Sequence, residues 1–172
     1  HKPVRIYAGI KDKQGVAFID ELIRVLHLDV EYDRNELERI PANGPAVIVS
    51  NHPLGGLDSL LLIRLVSQIR PDVKILSDNL LKKLNPVSEY IIDTNSYDQT
   101  SGNGKSAYSG LRESMTFLRK GGILCVFPAG SANTWYASGM QSDTIWRYPV
   151  IRFIRKMHVP VIPVLFQSNN SP

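Results

Sequence analysis

The chain has 172 residues, 43% of them hydrophobic and 21% charged, with a formal net charge of +4 at pH 7. That length suits one folded domain with its own core, and the composition excludes wholesale disorder, collagen and coiled coil. A single cysteine, Cys125, excludes an internal disulfide framework and fits a reducing compartment; no Cys/His cluster has zinc-ligand spacing, and so modest a charge without a recognition motif argues against a nucleic-acid partner.

In chain order, Phe18 to Leu28 places Phe18, Leu22, Val25 and Leu26 at helical spacing and predicts an amphipathic helix. Polar Asn35 to Arg39 and the turn-rich Pro41 to Pro45 lead into Ala46 to Ser50, a β-branched run expected to be a strand buried on both faces. A loop from Asn51 to Gly56 opens an apolar helix over Leu57 to Ile69, with Asp58 in its first turn. Val73 to Leu76 and Tyr90 to Ile92 read as strands. Lys105 to Lys120 reads as a helix with Leu111, Met115 and Leu118 on one face, ended by Gly121-Gly122. Ile123 to Phe127 is a further buried strand, Ile145 to Met157 a helix with Pro149 near its start, and Val161 to Phe166 the last strand. Pro160 and Pro163 place that last strand at an edge, because proline cannot donate to a ladder.

Strands separated by helices imply an α/β fold, a mostly parallel sheet flanked by helices with right-handed crossovers. Residues 1–172 read as a single domain, with 1–45 a helical lead-in and 46–166 the motif-bearing core, without repeats or linkers. The chain stops directly after a strand, where a closing helix is expected, so the reading anticipates further chain beyond it. The uncharged run Gly121 to Ser142 is 22 residues, long enough to cross a bilayer, but four glycines, Pro128, Asn133 and Gln141 argue against a spanning helix. No apolar leader follows the first basic residues, and a start at His1 instead of Met leaves a removed targeting segment open.

The segment that points to chemistry is Asn51-His-Pro-Leu-Gly-Gly-Leu-Asp58, which follows a buried strand and opens a helix. In open α/β sheets, ligands gather outside the carboxyl ends of the strands, where such a loop lies. Asp58 falls near a helix N-terminus, where the dipole favours a carboxylate. Pro53 and Gly55-Gly56 are expected to fold the loop back so that Asp58 reaches a ring nitrogen of His52. The carboxylate would then fix the tautomer and leave the other nitrogen as a general base for a substrate hydroxyl, since no serine or cysteine nucleophile sits beside it. The plainer alternative is that His52 caps a strand and Asp58 is only a helix-start charge.

Three further segments bear on that choice. Phe127-Pro-Ala-Gly-Ser131 follows a strand at the same end of the sheet; Gly130 permits positive φ, and backbone amides of Gly130 and Ser131 are candidates to cradle a phosphate or oxyanion. Tyr90-Ile-Ile-Asp-Thr-Asn95 ends another strand with polar Asp93, Thr94 and Asn95, and Val159-Pro-Val-Ile-Pro-Val164 is an apolar strand with two prolines. Taken singly, each is also an ordinary strand-end turn or rim strand.

Together, in this order and spacing, the four blocks resemble the lysophospholipid (glycerolipid) acyltransferase superfamily, which is 1-acylglycerol-3-phosphate acyltransferase-like. Its NH-x-D-type block is matched by Asn51, His52 and Asp58, its acceptor block loosely by Tyr90 to Asn95, its FPEG-type block by Phe127 to Ser131, and its VPVIPV-type block by Val159 to Val164. The resemblance covers Ala46 to Phe166. Five residues separate His52 from Asp58, one more than is usual in the superfamily, and Ala129 stands where glutamate is usual. HP-x-GG-x-D with FPAG resembles the hemolysin-like branch, which includes acyltransferases of ornithine-lipid and related aminolipid synthesis.

The resemblance implies that His52 deprotonates an acceptor hydroxyl, that Asp58 orients it, and that the hydroxyl attacks an acyl thioester. It further implies acceptor or anion contacts from Asn51, Asp93, Thr94, Asn95, Pro128, Gly130 and Ser131. No metal or redox cofactor is expected; acyl carrier protein or coenzyme A brings the acyl group, and a lysolipid accepts it. The implied location is cytoplasmic, peripheral to the inner face of the membrane. Lys82-Lys83, Arg119-Lys120 and Arg152/Arg155-Lys156 are candidate contacts to an acidic carrier or lipid heads, or else solvated helix faces. Trp135-Tyr136 and Trp146 to Tyr148 add aromatics of the kind enriched at membrane interfaces, unless they pack in the core. Two other classes remain: a non-catalytic lipid-binding protein and a thioesterase. The latter lacks a GxSxG elbow, because Ser131 has no glycine two residues on.

Overall fold

The structure, a computed structural model, describes residues 7–77, 79–93, 109–130, 134–135, 141–142 and 146–167. Helix α1 (Gly15–Val25) and the single turn α2 (Arg34–Leu37) precede β1 (Ala46–Ser50), α3 (Gly56–Ser67) and β2 (Val73–Ser77). Next come a short α4 (Asn79–Lys82), a 3₁₀ helix (Asn85–Tyr90) and β3 (Ile91–Asp93). Helix α5 (Ser109–Arg119), β4 (Ile123–Val126), the two-residue strands β5 (Thr134–Trp135) and β6 (Gln141–Ser142), α6 (Tyr148–Met157) and β7 (Val161–Val164) complete the order. Every expected element is present; β1 has the expected bounds, and the other ends that fall on described residues move by at most three residues. The exceptions in detail are informative: Tyr90 closes the 3₁₀ helix instead of starting β3, and the β5–β6 hairpin, α2 and α4 carry no periodicity that sequence reading detects. The starts expected at Lys105 and Ile145 lie outside the described residues.

Five strands form one parallel sheet in the order β3-β2-β4-β1-β7, so the α/β expectation holds. All five residues of β1 are buried because strands flank it on both sides and helices cover both faces. Alternation divides its side chains between two cores. Ala46 and Ile48 join Phe18 and Ile19 of α1 and Leu60, Leu62, Ile63 and Val66 of α3; Val47 and Val49 join Leu118 of α5 and Val150 and Phe153 of α6. Helix α3 is apolar on nearly every side because it fills the layer between the sheet and α1. Strand β7 lies at the edge, with Val161 exposed and Pro163 opposite Val49. The rim position expected from its prolines is where it sits.

The amino ends of the strands are tied by one residue, Arg70. Its guanidinium donates to Asp72 Oδ1 at 2.7 Å and Oδ2 at 2.5 Å, to the carbonyls of Pro41 and Gly44 at 3.1 and 2.8 Å, and to that of Gly121 at 2.5 Å. These partners precede β1, β2 and β4, so one planar fork fixes three strand entries. Its desolvation is compensated by five hydrogen bonds, and Asp72 beside it is held below the ordinary carboxylate range by the same guanidinium.

Candidate active site

At the opposite, carboxyl end of the sheet, the chain leaves β1 towards α3 on one face and leaves β4 towards α6 on the other. Neighbouring strands whose connections depart to opposite faces leave a crevice between them, the switch point where α/β proteins bind ligands. His52 follows β1 and Phe127 follows β4, and their rings stack across this crevice with centroids 4.0 Å apart and planes inclined by 27°. Phe127 is a site residue that sequence reading placed only inside a motif. Its partnership with His52 depends on β4 lying beside β1, a pairing of strands far apart in the chain.

The loop between His52 and Asp58 folds back as expected, by one glycine. Gly55 has φ +66° and ψ −133°, a conformation that a residue with a Cβ would occupy only under strain. Gly56 has no such constraint; a Cβ there would meet Leu81 at 3.4 Å, close to ordinary contact. With the chain reversed at Gly55, Asp58 sits at the third position of α3 and its Oδ2 accepts the Leu54 N–H at 2.7 Å. This is the reach-back of a capping box extended by one residue, and it binds the carboxylate to the loop that carries His52. Oδ2 also lies 3.3 Å from His52 Nδ1, with the Asp58 side chain 0% and the His52 side chain 14% exposed. That separation suits an ion pair and is long for a hydrogen bond, the relaxed geometry common before substrate arrives. Asp58 Oδ1, and the hydroxyls of Ser50 at the end of β1 and Ser59 in the first turns of α3, are buried without a hydrogen-bond partner among the described residues. Asp58 Oδ1 is thus a buried acceptor that the described residues leave unsatisfied.

The remaining expected residues fall into three groups. Asn51 links the ends of two strands: its Nδ2 donates to the Phe166 carbonyl at 2.8 Å and its Oδ1 accepts the Phe166 N–H at 2.7 Å, joining the exit of β1 to that of β7. Pro128 is buried and Gly130 exposed in a turn that Gly130 closes, its N–H donating to the Phe127 carbonyl at 3.0 Å. The Gly130 amide suggested for an oxyanion is thus engaged inside the turn. Asp93 ends β3, three strand spacings from β1, or about 14 Å, so the sheet does not bring it to His52. Thr94, Asn95 and Ser131 lie outside the described residues. Ala129 is buried, so the position of the superfamily glutamate points into the protein here.

Arg147 is a neighbour that sequence reading passed over. Its N–H donates to the Pro128 carbonyl at 2.9 Å, and its guanidinium lies so close to Gly130 that a Cβ there would stand 2.7 Å from Nε. Burial pushes the Cys125 thiol well above its ordinary value, which makes it an inert core residue. Among the described residues no group of three or more metal-ligating side chains occurs, and no described helix is long and apolar enough to cross a membrane.

Known proteins match this arrangement over nearly its whole length. The chain is 29% identical over 162 residues to a lyso-glycine lipid O-acyltransferase of Phocaeicola vulgatus and 28% identical over 162 residues to one of Bacteroides thetaiotaomicron. These alignments cover 94% of this chain and 55% and 56% of the relatives, so the chain spans about half the length of the curated relatives it matches. A family model described as acyltransferase covers residues 7–171, which include β1, the His52–Asp58 loop, the Phe127 turn and β7, and the chain accordingly belongs to the acyltransferase family.

Proposed function

We propose that the protein transfers a fatty acyl group from a thioester to the hydroxyl of a lysolipid, with His52 as general base and Asp58 as its positioning partner. The observation that carries this reading is the His52–Asp58 pair, 3.3 Å apart at the β1/β4 switch point with Phe127 stacked on the imidazole. With Asp58 at Nδ1, Nε2 is the ring nitrogen assigned to take the proton from the acceptor hydroxyl in this proposal. The alkoxide oxygen attacks the thioester carbonyl, the tetrahedral intermediate expels the thiolate, and the imidazolium returns the proton to sulfur. A positioned base contributes about 10²–10⁴-fold; the rest is assigned to holding both substrates in the crevice and to donors facing the oxyanion.

The names of the relatives support a lysolipid acceptor, and a glycine or other amino-acid headgroup is the finer proposal, alongside lysophosphatidate and lyso-ornithine types. Acyl carrier protein or coenzyme A is the proposed carrier of the donor, with no metal or redox cofactor required. We place the protein on the cytoplasmic side, peripheral to the membrane that holds the acceptor. The exposed Trp146 and Tyr148 beside basic Arg152, Arg155 and Lys156 support that docking. The test is incubation of the complete protein with labelled acyl donor and a panel of lysolipids. Labelled diacylated product is expected; label that remains on the donor with every acceptor contradicts the proposal, and equal release as free fatty acid with and without acceptor identifies a thioesterase instead.

A further inference from the structure

We propose that Arg147 is the anion anchor of this site, binding the carboxylate or phosphate of a substrate beside His52. The inference rests on the acyl-transfer reading and adds a residue that sets which substrates are accepted.

Three observations converge on it. The Phe127 ring stacks on His52, and the same residue's carbonyl closes the turn to Gly130, so the turn is part of the crevice wall. Arg147 is fastened to that turn by its own N–H on the Pro128 carbonyl, and its guanidinium lies over Gly130, in space that any larger residue at 130 would fill. Gly130 also has φ +74°, so the position is suited to glycine both by its backbone and by the arginine packed on it. The guanidinium is exposed, and no carboxylate among the described residues pairs with it.

The other cations of this helix are occupied or remote. Arg152 lies over the Tyr148 ring at 5.8 Å, and Arg155 and Lys156 sit in the last turn, about 12 Å along the helix from Arg147. Arg147 itself caps the amino end of α6, whose first turn contains no acidic residue, so the helix dipole adds to the guanidinium's field. A planar, permanently charged fork on the turn that follows Phe127 suits bidentate binding of a carboxylate or phosphate oxygen pair. That anion has two sources in the proposed reaction: the acceptor headgroup, or the phosphates of the thioester carrier.

Binding and turnover of wild type, Arg147→Gln and Arg147→Lys separate them. The probes are lyso-glycine lipid, its uncharged methyl ester and acyl-coenzyme A, together with an acyl thioester of N-acetylcysteamine, which has no phosphate. For a headgroup anchor, Arg147→Gln weakens binding and raises KM for the free-acid lipid about 10- to 100-fold, the loss of one charge-assisted contact, with kcat little changed. The methyl ester is unaffected, and Arg147→Lys falls between. For a carrier anchor, the same loss appears for acyl-coenzyme A and vanishes with the N-acetylcysteamine thioester. Unchanged affinity for all four probes in an otherwise folded Arg147→Gln protein overturns the proposal. Equilibrium binding needs no turnover, so an inactive wild type contradicts the acyl-transfer reading while leaving Arg147 tested.

Discussion

The two ends of the parallel sheet each bury a charged group, and they treat it oppositely. At the amino end Arg70 is surrounded by five acceptor atoms that use its whole fork. At the carboxyl end Asp58 is fully buried with one oxygen on the Leu54 N–H and near His52, and the other without a partner among the described residues. A satisfied buried charge holds a structure together; an incompletely satisfied one keeps free energy available for a substrate or transition state. Under the proposed function, this difference puts stability at one end and chemistry at the other, as the direction of the strands leads one to expect.

Breaking the satisfied end has the largest expected effect. Arg70→Ala leaves three strand-entry carbonyls without their donor and is expected to cost about 2–4 kcal/mol, read as a lowered melting temperature, while activity per folded molecule stays within about twofold. An equal loss of activity and stability would erase the division between the ends.

At the other end the reverse is expected. Asp58→Asn retains an acceptor for the Leu54 N–H but removes the charge that steadies an imidazolium. Acyl transfer should fall about 10²–10⁴-fold, with melting lowered by less than a few degrees. Phe127→Leu removes the ring stacked on His52 and is expected to cost about three- to tenfold in kcat, consistent with the modest energy of one aromatic contact.

The smallest effect concerns pH. Arg70 holds the folded-state value of Asp72 below its ordinary 3.8, so the stabilisation is fully present above that value and is lost as pH falls through the lower folded value. Acid melting curves should decline below about pH 4, and an Arg70→Gln variant should decline less steeply over that range, since its Asp72 has no cation to lose.

What the sequence made legible follows the range of the interactions. Ala46 to Ser50 and Ile123 to Val126 read as buried strands because both faces are covered and the apolar run is unbroken. His52 and Asp58 were legible as a pair because they are six positions apart and one residue, Gly55, reverses the chain between them. The His52–Phe127 stack was not, because it requires β4 to insert between β1 and β2, an order set by tertiary packing. Arg70 draws its carbonyl partners from loops 26 to 51 positions away, and no periodicity marks such a clamp. Arg147 meets Gly130 across an intervening hairpin, and Asn51 meets Phe166 across 115 positions. Motif spacing announces a site's local half, and strand order supplies the other half.

The central claim is that His52 acts as the base, and a His52→Ala variant at matched folded fraction tests it most directly by the rate of acyl transfer to a lysolipid. The account predicts a fall of about 10²–10⁴-fold with lipid binding retained and the melting temperature close to wild type. Transfer at the wild-type rate by that variant would contradict it.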